Sequence, residues 1–131
     1  MTTTWKDMIK YRERHRKIVE ILAKKLNGVI FQVAPFDIIT NKGEFIEVKV
    51  SNAKNPAFHL SNEELKALKI LNKTYYIYFY YHEKLFVFSG EKILEWSKTT
   101  SLHKQFGHNN IKQKKIQLSN KRLLEALNLD F

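Results

Sequence analysis

The sequence predicts an α/β domain with a mixed central sheet flanked by helices. Three observations carry this. Apolar positions recur at three- and four-residue steps up to residue 26 and then switch to extended, alternating runs. Helical and extended stretches follow in the order α-β-β-β-α-β-β-α-β-α, which suits helices layered on a sheet. The run 74–81 is apolar or aromatic on both faces, as in a central strand covered on both sides. With 131 residues, 44% of them apolar, the chain can close one hydrophobic core, and four Gly with two Pro leave little room for linkers. We expect a single domain with its core over about 5–88 and a basic C-terminal extension over about 89–131.

Residues 4–26 predict a helix. Trp5, Met8, Ile9, Arg12, Arg16, Val19, Leu22, Ala23 and Leu26 form one stripe, Thr3 or Thr4 caps its start, and Asn27-Gly28 stops it. Extended runs follow at 29–34, 36–40 and 44–50. Asn41-Lys42-Gly43 separates the last two, with Gly in the left-handed place of a three-residue hairpin loop. Residues 51–57 read as a polar loop broken by Pro56. Ser61-Asn62-Glu63-Glu64 is a capping box starting a helix to about Leu71. Beyond the strand 74–81 come a turn, a strand at 85–88, a helix at 91–96 and a loop to residue 110. A basic strand at 111–118 and a helix capped by Ser119 complete the chain.

The net charge of +10 is uneven. Residues 1–25 carry 8 basic and 3 acidic side chains, residues 26–97 carry 8 of each, and residues 98–122 carry 7 basic and none acidic. Basic flanks around a neutral middle suit a polyanion, because each cation set on a phosphate releases counterions. A merely solvated surface is the alternative. The absence of cysteine excludes disulfides and zinc–thiolate sites and fits a reducing compartment. No apolar run reaches membrane-spanning length and the first residues lack a signal-peptide pattern, so a soluble, cytoplasmic protein without a membrane partner is expected.

The chemistry concentrates in one hairpin. In 44–50 the side chains of Phe45, Glu47 and Lys49 share one face, and Ile46, Val48 and Val50 share the other, aliphatic one, which must be buried. If Thr40 pairs with Glu44, pair indices sum to 84 and Asp37 falls opposite Glu47 on the same face. Two carboxylates so placed repel unless a proton or cation lies between them. Mg²⁺, a hard ion commonly held by carboxylates, phosphate and water, fits that place. An ordinary cross-strand pair neutralised by Lys49 is the alternative.

Pro35-Phe36-Asp37, nine residues, then Glu47-Val48-Lys49 resembles the motif of the PD-(D/E)XK nuclease superfamily. The likeness covers residues 5 to about 81, where the order αβββαβ is that superfamily's restriction-endonuclease-like core; Phe36, set between Pro35 and Asp37, departs from the commoner pattern. The resemblance implies that Asp37, Glu47 and the Val48 backbone carbonyl bind Mg²⁺ or Mn²⁺. Lys49 would orient or activate the attacking water and offset charge, with cleavage leaving a 5′-phosphate and a 3′-hydroxyl. It also implies an acid from the first helix, for which Glu20 is the candidate. A solvent-facing partner for Arg16 or Lys24 is Glu20's other reading.

Candidate nucleic-acid contacts are Arg12, Arg16, Ser51, Lys54, Lys112, Lys114 and Lys115, whose bland reading is a solvated surface. The expectation is therefore a metal-dependent endonuclease acting on DNA, duplex or branched, ahead of RNA. The resemblance further implies a homodimer. A junction resolvase is the nearest subtype, but 29–34 is too short for the Ser/Gly-rich loop such enzymes carry, so the substrate is kept general. The rival is a non-catalytic nucleic-acid-binding protein or subunit that keeps the fold.

Overall fold

A computed structural model describes residues 4–31, 35–100, 102–104 and 112–129. In chain order the elements are α1 (Trp5–Lys25), β1 (Gly28–Ile30), β2 (Ile38–Thr40), β3 (Phe45–Ser51), β4 (Ala57–Ser61), α2 (Asn62–Leu71), β5 (Tyr75–Tyr81), β6 (Lys84–Ser89), α3 (Gly90–Lys98), β7 (Leu102–Lys104), β8 (Lys112–Gln117), α4 (Asn120–Leu124) and β9 (Leu127–Leu129). The fold is α/β, with a mixed central sheet flanked by helices. That sheet has six strands in the order β1-β2-β3-β5-β6-β9, and β4-β8-β7 form a second, smaller sheet. Only the β3–β5 pairing is parallel in the central sheet; it runs from Phe45↔Tyr75 to Ser51↔Tyr81. A parallel neighbour needs a crossover, and here β4 and α2 supply it.

The two faces of the central sheet hold separate cores. Ile18, Val19, Leu22 and Ala23 of α1 cover Ile38, Ile46, Val48 and Val50, so the all-aliphatic face of β3 is buried as its alternation predicts. On the other face Leu65 and Leu68 of α2, and Ile93 and Trp96 of α3, pack with Ile77, Phe79 and Phe88. Phe58 and Leu60 of β4 and Ile116 of β8 close this core from the second sheet. Local signals act where expected. Thr4 and Asp7 form a capping box, Asn27 takes φ 51° at the end of α1, and Gly43 takes φ 79° in the hairpin loop.

Several expectations change: among them, the loop expected to residue 110 contains β7, and β9 follows the last helix and joins the central sheet beside β6. The apolar stripe on α1 is buried only from Ile18 onward, and Trp5, Met8 and Ile9 are exposed. A helix of this length, at ~1.5 Å per residue, outreaches the strands it covers. The expected loop through 57 gives way to β4 at its end, because two apolar residues, Phe58 and Leu60, suffice for a short strand once β8 pairs with it. The first extended run is a strand only over Gly28–Ile30, and its residues 32–34 lie outside the described residues. No helix among the described residues is long and apolar enough to cross a membrane.

Gly90 shows how closely the crossover packs. A Cβ there would lie 2.6 Å from the Asn72 carbonyl oxygen and 2.7 Å from that of Tyr75. Backbone oxygens cannot rotate away, so Gly90→Ala should cost about 1–3 kcal/mol, measured as a lower urea midpoint at unchanged slope. A midpoint equal to wild type would show that α3 can slide without penalty.

Candidate active site

The short β2 creates the site. Ile38↔Ile46 and Ile39↔Phe45 keep the register whose indices sum to 84, but the ladder stops there. Asp37 donates its amide to the Ile46 carbonyl oxygen at 2.7 Å and then leaves the strand. The next peptide group on that edge of β3, at Val48, therefore lacks a strand partner, and side chains supply one. The Asp37 Oδ2 accepts from the Val48 amide at 2.8 Å. His15 of α1 places Nε2 2.9 Å from the Val48 carbonyl oxygen and 3.4 Å from Asp37 Oδ2. A carbonyl only accepts, so Nε2 carries the hydrogen. The hydrogen bond to Asp37 is the main reason the His15 imidazolium persists to higher pH than usual; burial works against it. Behind the loop, the Tyr75 hydroxyl donates to the Pro35 carbonyl oxygen at 2.5 Å and fixes the approach to Asp37.

On the other face of β3 the Lys49 ammonium sits between two acids. Nζ donates to Glu64 Oε2 at 2.7 Å and lies 3.1 Å from Glu47 Oε2, and all three side chains are at least 85% buried. Glu64 is the N3 acid of the capping box: its Oε1 accepts from the Ser61 amide at 2.9 Å, which leaves Oε2 for Lys49. Burial alone would lower the lysine, but the two carboxylates outweigh it and raise its pKa, so Lys49 stays charged. The acids divide. Burial raises Glu47 well above the carboxylate range despite Lys49, helped by its hydrogen bond to Glu64 and by the charge there. Burial also pushes on Glu64, but the hydrogen bond from Glu47 and the charge of Lys49 prevail and hold it below that range. The two carboxyls that share one lysine are thus pushed apart, Glu47 toward its neutral form and Glu64 toward its ionised form.

The structure sets Asp37 on the Val48 peptide and Glu47 on Lys49, and adds to them His15, expected only among basic residues that could follow a nucleic-acid backbone, and Glu64. His15 stands in line with Ile18, Val19 and Leu22 at helical spacing, so its face was legible while its contact was not. Glu64 was read only as a cap. Glu20 is corrected: it is exposed, 3.9 Å from Arg16, about 140° around α1 from His15. Arg16 is exposed in that same pair. Arg12 and Ser51 line a groove of about 810 Å³ between α1 and the end of β3, where Arg14 also donates to Asn52 at 2.6 Å. Lys114 is withdrawn as a surface contact, since its ammonium donates to the Ser97 carbonyl oxygen at 2.5 Å. Lys54 and Lys115 are exposed, and the side chain of Lys112 lies outside the described residues.

Among the described residues no three His, Asp or Glu side chains are grouped as metal ligands. The reason is the turn of Glu47 toward Lys49 and Glu64. Donor chemistry nonetheless suits a hard divalent ion: Asp37 Oδ2 and the Val48 carbonyl oxygen face a common point, filled here by the His15 Nε2–H, which an ion would displace. Glu47 would complete an oxygen set by losing its proton and turning from Glu64.

Because burial raises Glu47 above its value in the unfolded chain, the folded state binds more protons and this group's contribution falls as pH rises above the ordinary carboxylate range. Glu47→Gln cannot titrate but keeps an amide to donate to Glu64. In chelator the variant should match wild type near pH 4 and exceed it by on the order of 1 kcal/mol at alkaline pH. Urea titrations across pH measure this, and parallel curves would place the proton elsewhere.

A family model described as Protein NO VEIN, C-terminal, matches residues 8–85. That span holds His15, Asp37, Glu47, Lys49 and Glu64 and excludes the basic segment after β6. No curated protein and no solved structure matches the chain. The match covers more than half of the sequence, and the chain belongs to the family of the NO VEIN C-terminal domain.

Proposed function

We propose that the protein is a metal-dependent nuclease that hydrolyses phosphodiester bonds in nucleic acid, with DNA the preferred substrate. The observation that carries this is the pairing of Asp37 with the Val48 peptide beside a buried Lys49 held between Glu47 and Glu64. It agrees with the resemblance of Asp37 and Glu47-Val48-Lys49 to the PD-(D/E)XK motif. Asp37, Glu47 and the Val48 carbonyl would hold Mg²⁺ or Mn²⁺, which when bound supplies Lewis-acid stabilisation of charge on the phosphate.

The chain's own groups have separable tasks. Glu64 and Glu47 keep Lys49 protonated, so it acts as a hydrogen-bond donor that orients water and offsets phosphate charge. His15 and Tyr75 hold Asp37 and the loop before it in place. In the reaction a water oxygen bonds to phosphorus as the bond to the 3′ oxygen breaks; the water gives up a proton to solvent and the leaving 3′ oxygen takes one from it, leaving 5′-phosphate and 3′-hydroxyl ends. Two such sites in a homodimer would cut both strands of a duplex, and dimerisation is part of this proposal.

A second reading, a nucleic-acid-binding protein without catalysis, is favoured by one observation: Glu47 is held by Lys49 and Glu64 and is not grouped with Asp37 as a ligand. Cleavage assays on plasmid, branched DNA and RNA with Mg²⁺ or Mn²⁺ separate the two. Wild type should cut, chelator should stop it, and Glu47→Ala or Lys49→Ala should each lower the rate at least ~10²-fold. Metal-dependent cutting that survives both substitutions would sink the site; binding without cutting establishes the second reading.

A further inference from the structure

We propose that the cleft bounded by the β3–β4 loop, the end of β8 and the start of α4 binds the phosphate backbone of nucleic acid several nucleotides from the reacting bond; this rests on the nucleic-acid reading above. The cleft holds about 680 Å³ and receives Lys54 from the loop, Lys115 from β8 and Arg122 from α4, with Asn55, Ser119 and Asn120 beside them. No carboxylate lines it. Three cations from three separate elements converge here by folding, so the cleft is not a by-product of one charged run.

The state of each cation favours a ligand. Among the described residues neither Lys54 nor Lys115 makes an ion pair. Arg122 is held in place from two sides: one guanidinium nitrogen donates to the Gln117 carbonyl oxygen at 2.9 Å, and the group lies 4.6 Å from the centre of the Trp96 ring. A guanidinium has five N–H donors, so most remain for a phosphate. Neighbouring basic residues are committed elsewhere, Lys114 to Ser97 and Lys92 to Glu125. The lining offers cations, amides and a hydroxyl but no aromatic anchor, which suits backbone contact and not a protein interface.

Position ties the cleft to the candidate active site. Ala57, at one end of β4, lines it, and Ser61, at the other end, is bonded through its amide to Glu64, which grips Lys49. Four residues of strand span ~13 Å, about four base-pair steps of B-DNA. Between the two ends His59 pairs with Lys115 across the ladder, and both are exposed. A strand reacting at Lys49 and running along β4 would place its backbone in the cleft.

The test is fluorescence anisotropy of labelled duplex and single-stranded oligonucleotides in chelator, across a salt series, with the full chain. Lys54→Gln/Lys115→Gln leaves the Arg122–Trp96 contact intact, and an unchanged melting temperature checks folding. Lys66→Gln/Lys69→Gln, on the exposed side of α2, removes equal charge elsewhere. The cleft variant should bind ~10-fold more weakly near 0.1 M salt and lose ~1.5 from the log–log salt slope, while the control changes less than ~2-fold. Equal losses in both variants, or none in the cleft variant, overturn the cleft and leave the nuclease reading standing. Wild type that binds no nucleic acid defeats both. Displacement of the oligonucleotide by millimolar inorganic phosphate or by an acidic peptide would make this a simple anion or protein site and overturn the proposal.

Discussion

The peptide group of Val48 is the constraint around which this molecule is organised. β2 is only three residues long, so β3 runs on past its neighbour and the Val48 N–H and carbonyl have no strand partner on that edge. A buried backbone group without a partner costs as much as a lost hydrogen bond, and the fold meets the need with side chains. Asp37 takes the N–H and His15 approaches the carbonyl. Sites built this way are polar by necessity: the carboxylate and the imidazole are drawn to the same point by the geometry of an interrupted sheet. Their neighbours follow from it, since α1 must lie close enough for His15 to reach and the loop before Asp37 must be tied back by Tyr75.

Across the strand lies a second polar centre of a different kind. A lysine and two glutamates at this depth would be expensive as three separate charges, because removal from water costs several kcal/mol per ion. The cluster lowers that cost by favouring the neutral form of Glu47 and by using the remaining carboxylate oxygen of Glu64 in a helix cap. Glu64 therefore joins two jobs, starting α2 and holding Lys49, and the start of α2 is set relative to β3 through that one side chain. Isolated as a helix cap it would be worth about 1 kcal/mol; as the counter-charge of a buried lysine it matters more.

The family match and the charge distribution describe different parts of the chain. Residues 8–85 match the family model and hold His15, Asp37, Glu47, Lys49 and Glu64. The second sheet's β8 and the short α4 lie beyond it, yet they complete the core through Ile116 and bring Lys115 and Arg122 beside Lys54 of the matched part. The basic C-terminal segment is thus structural and electrostatic at once: Lys114 braces α3, and Lys115, the next residue, faces the cleft. Alternation along a strand is what separates the two roles.

Much was legible from residues alone because local rules govern it. The capping boxes at Thr4 and Ser61, the left-handed Gly43 and the buried Ile46, Val48 and Val50 follow from backbone chemistry and a period of two. So does the hairpin register, Ile38↔Ile46 and Ile39↔Phe45, since the three-residue loop determines it; the expected pairing of Asp37 with Glu47 lies beyond the end of that ladder. The α/β class and the central strand β5 were equally readable from their hydrophobic pattern. Tertiary structure decided the rest. It chose His15 over Glu20 as the α1 side chain at the site, because helix periodicity tells which residues share a face and not which turn of α1 meets the end of β2. It turned Glu64 from a cap into a partner of Lys49, and it gathered Lys54, Lys115 and Arg122 across more than sixty residues of chain. Such contacts depend on where β4 and β8 pair, and no local period in the sequence encodes that.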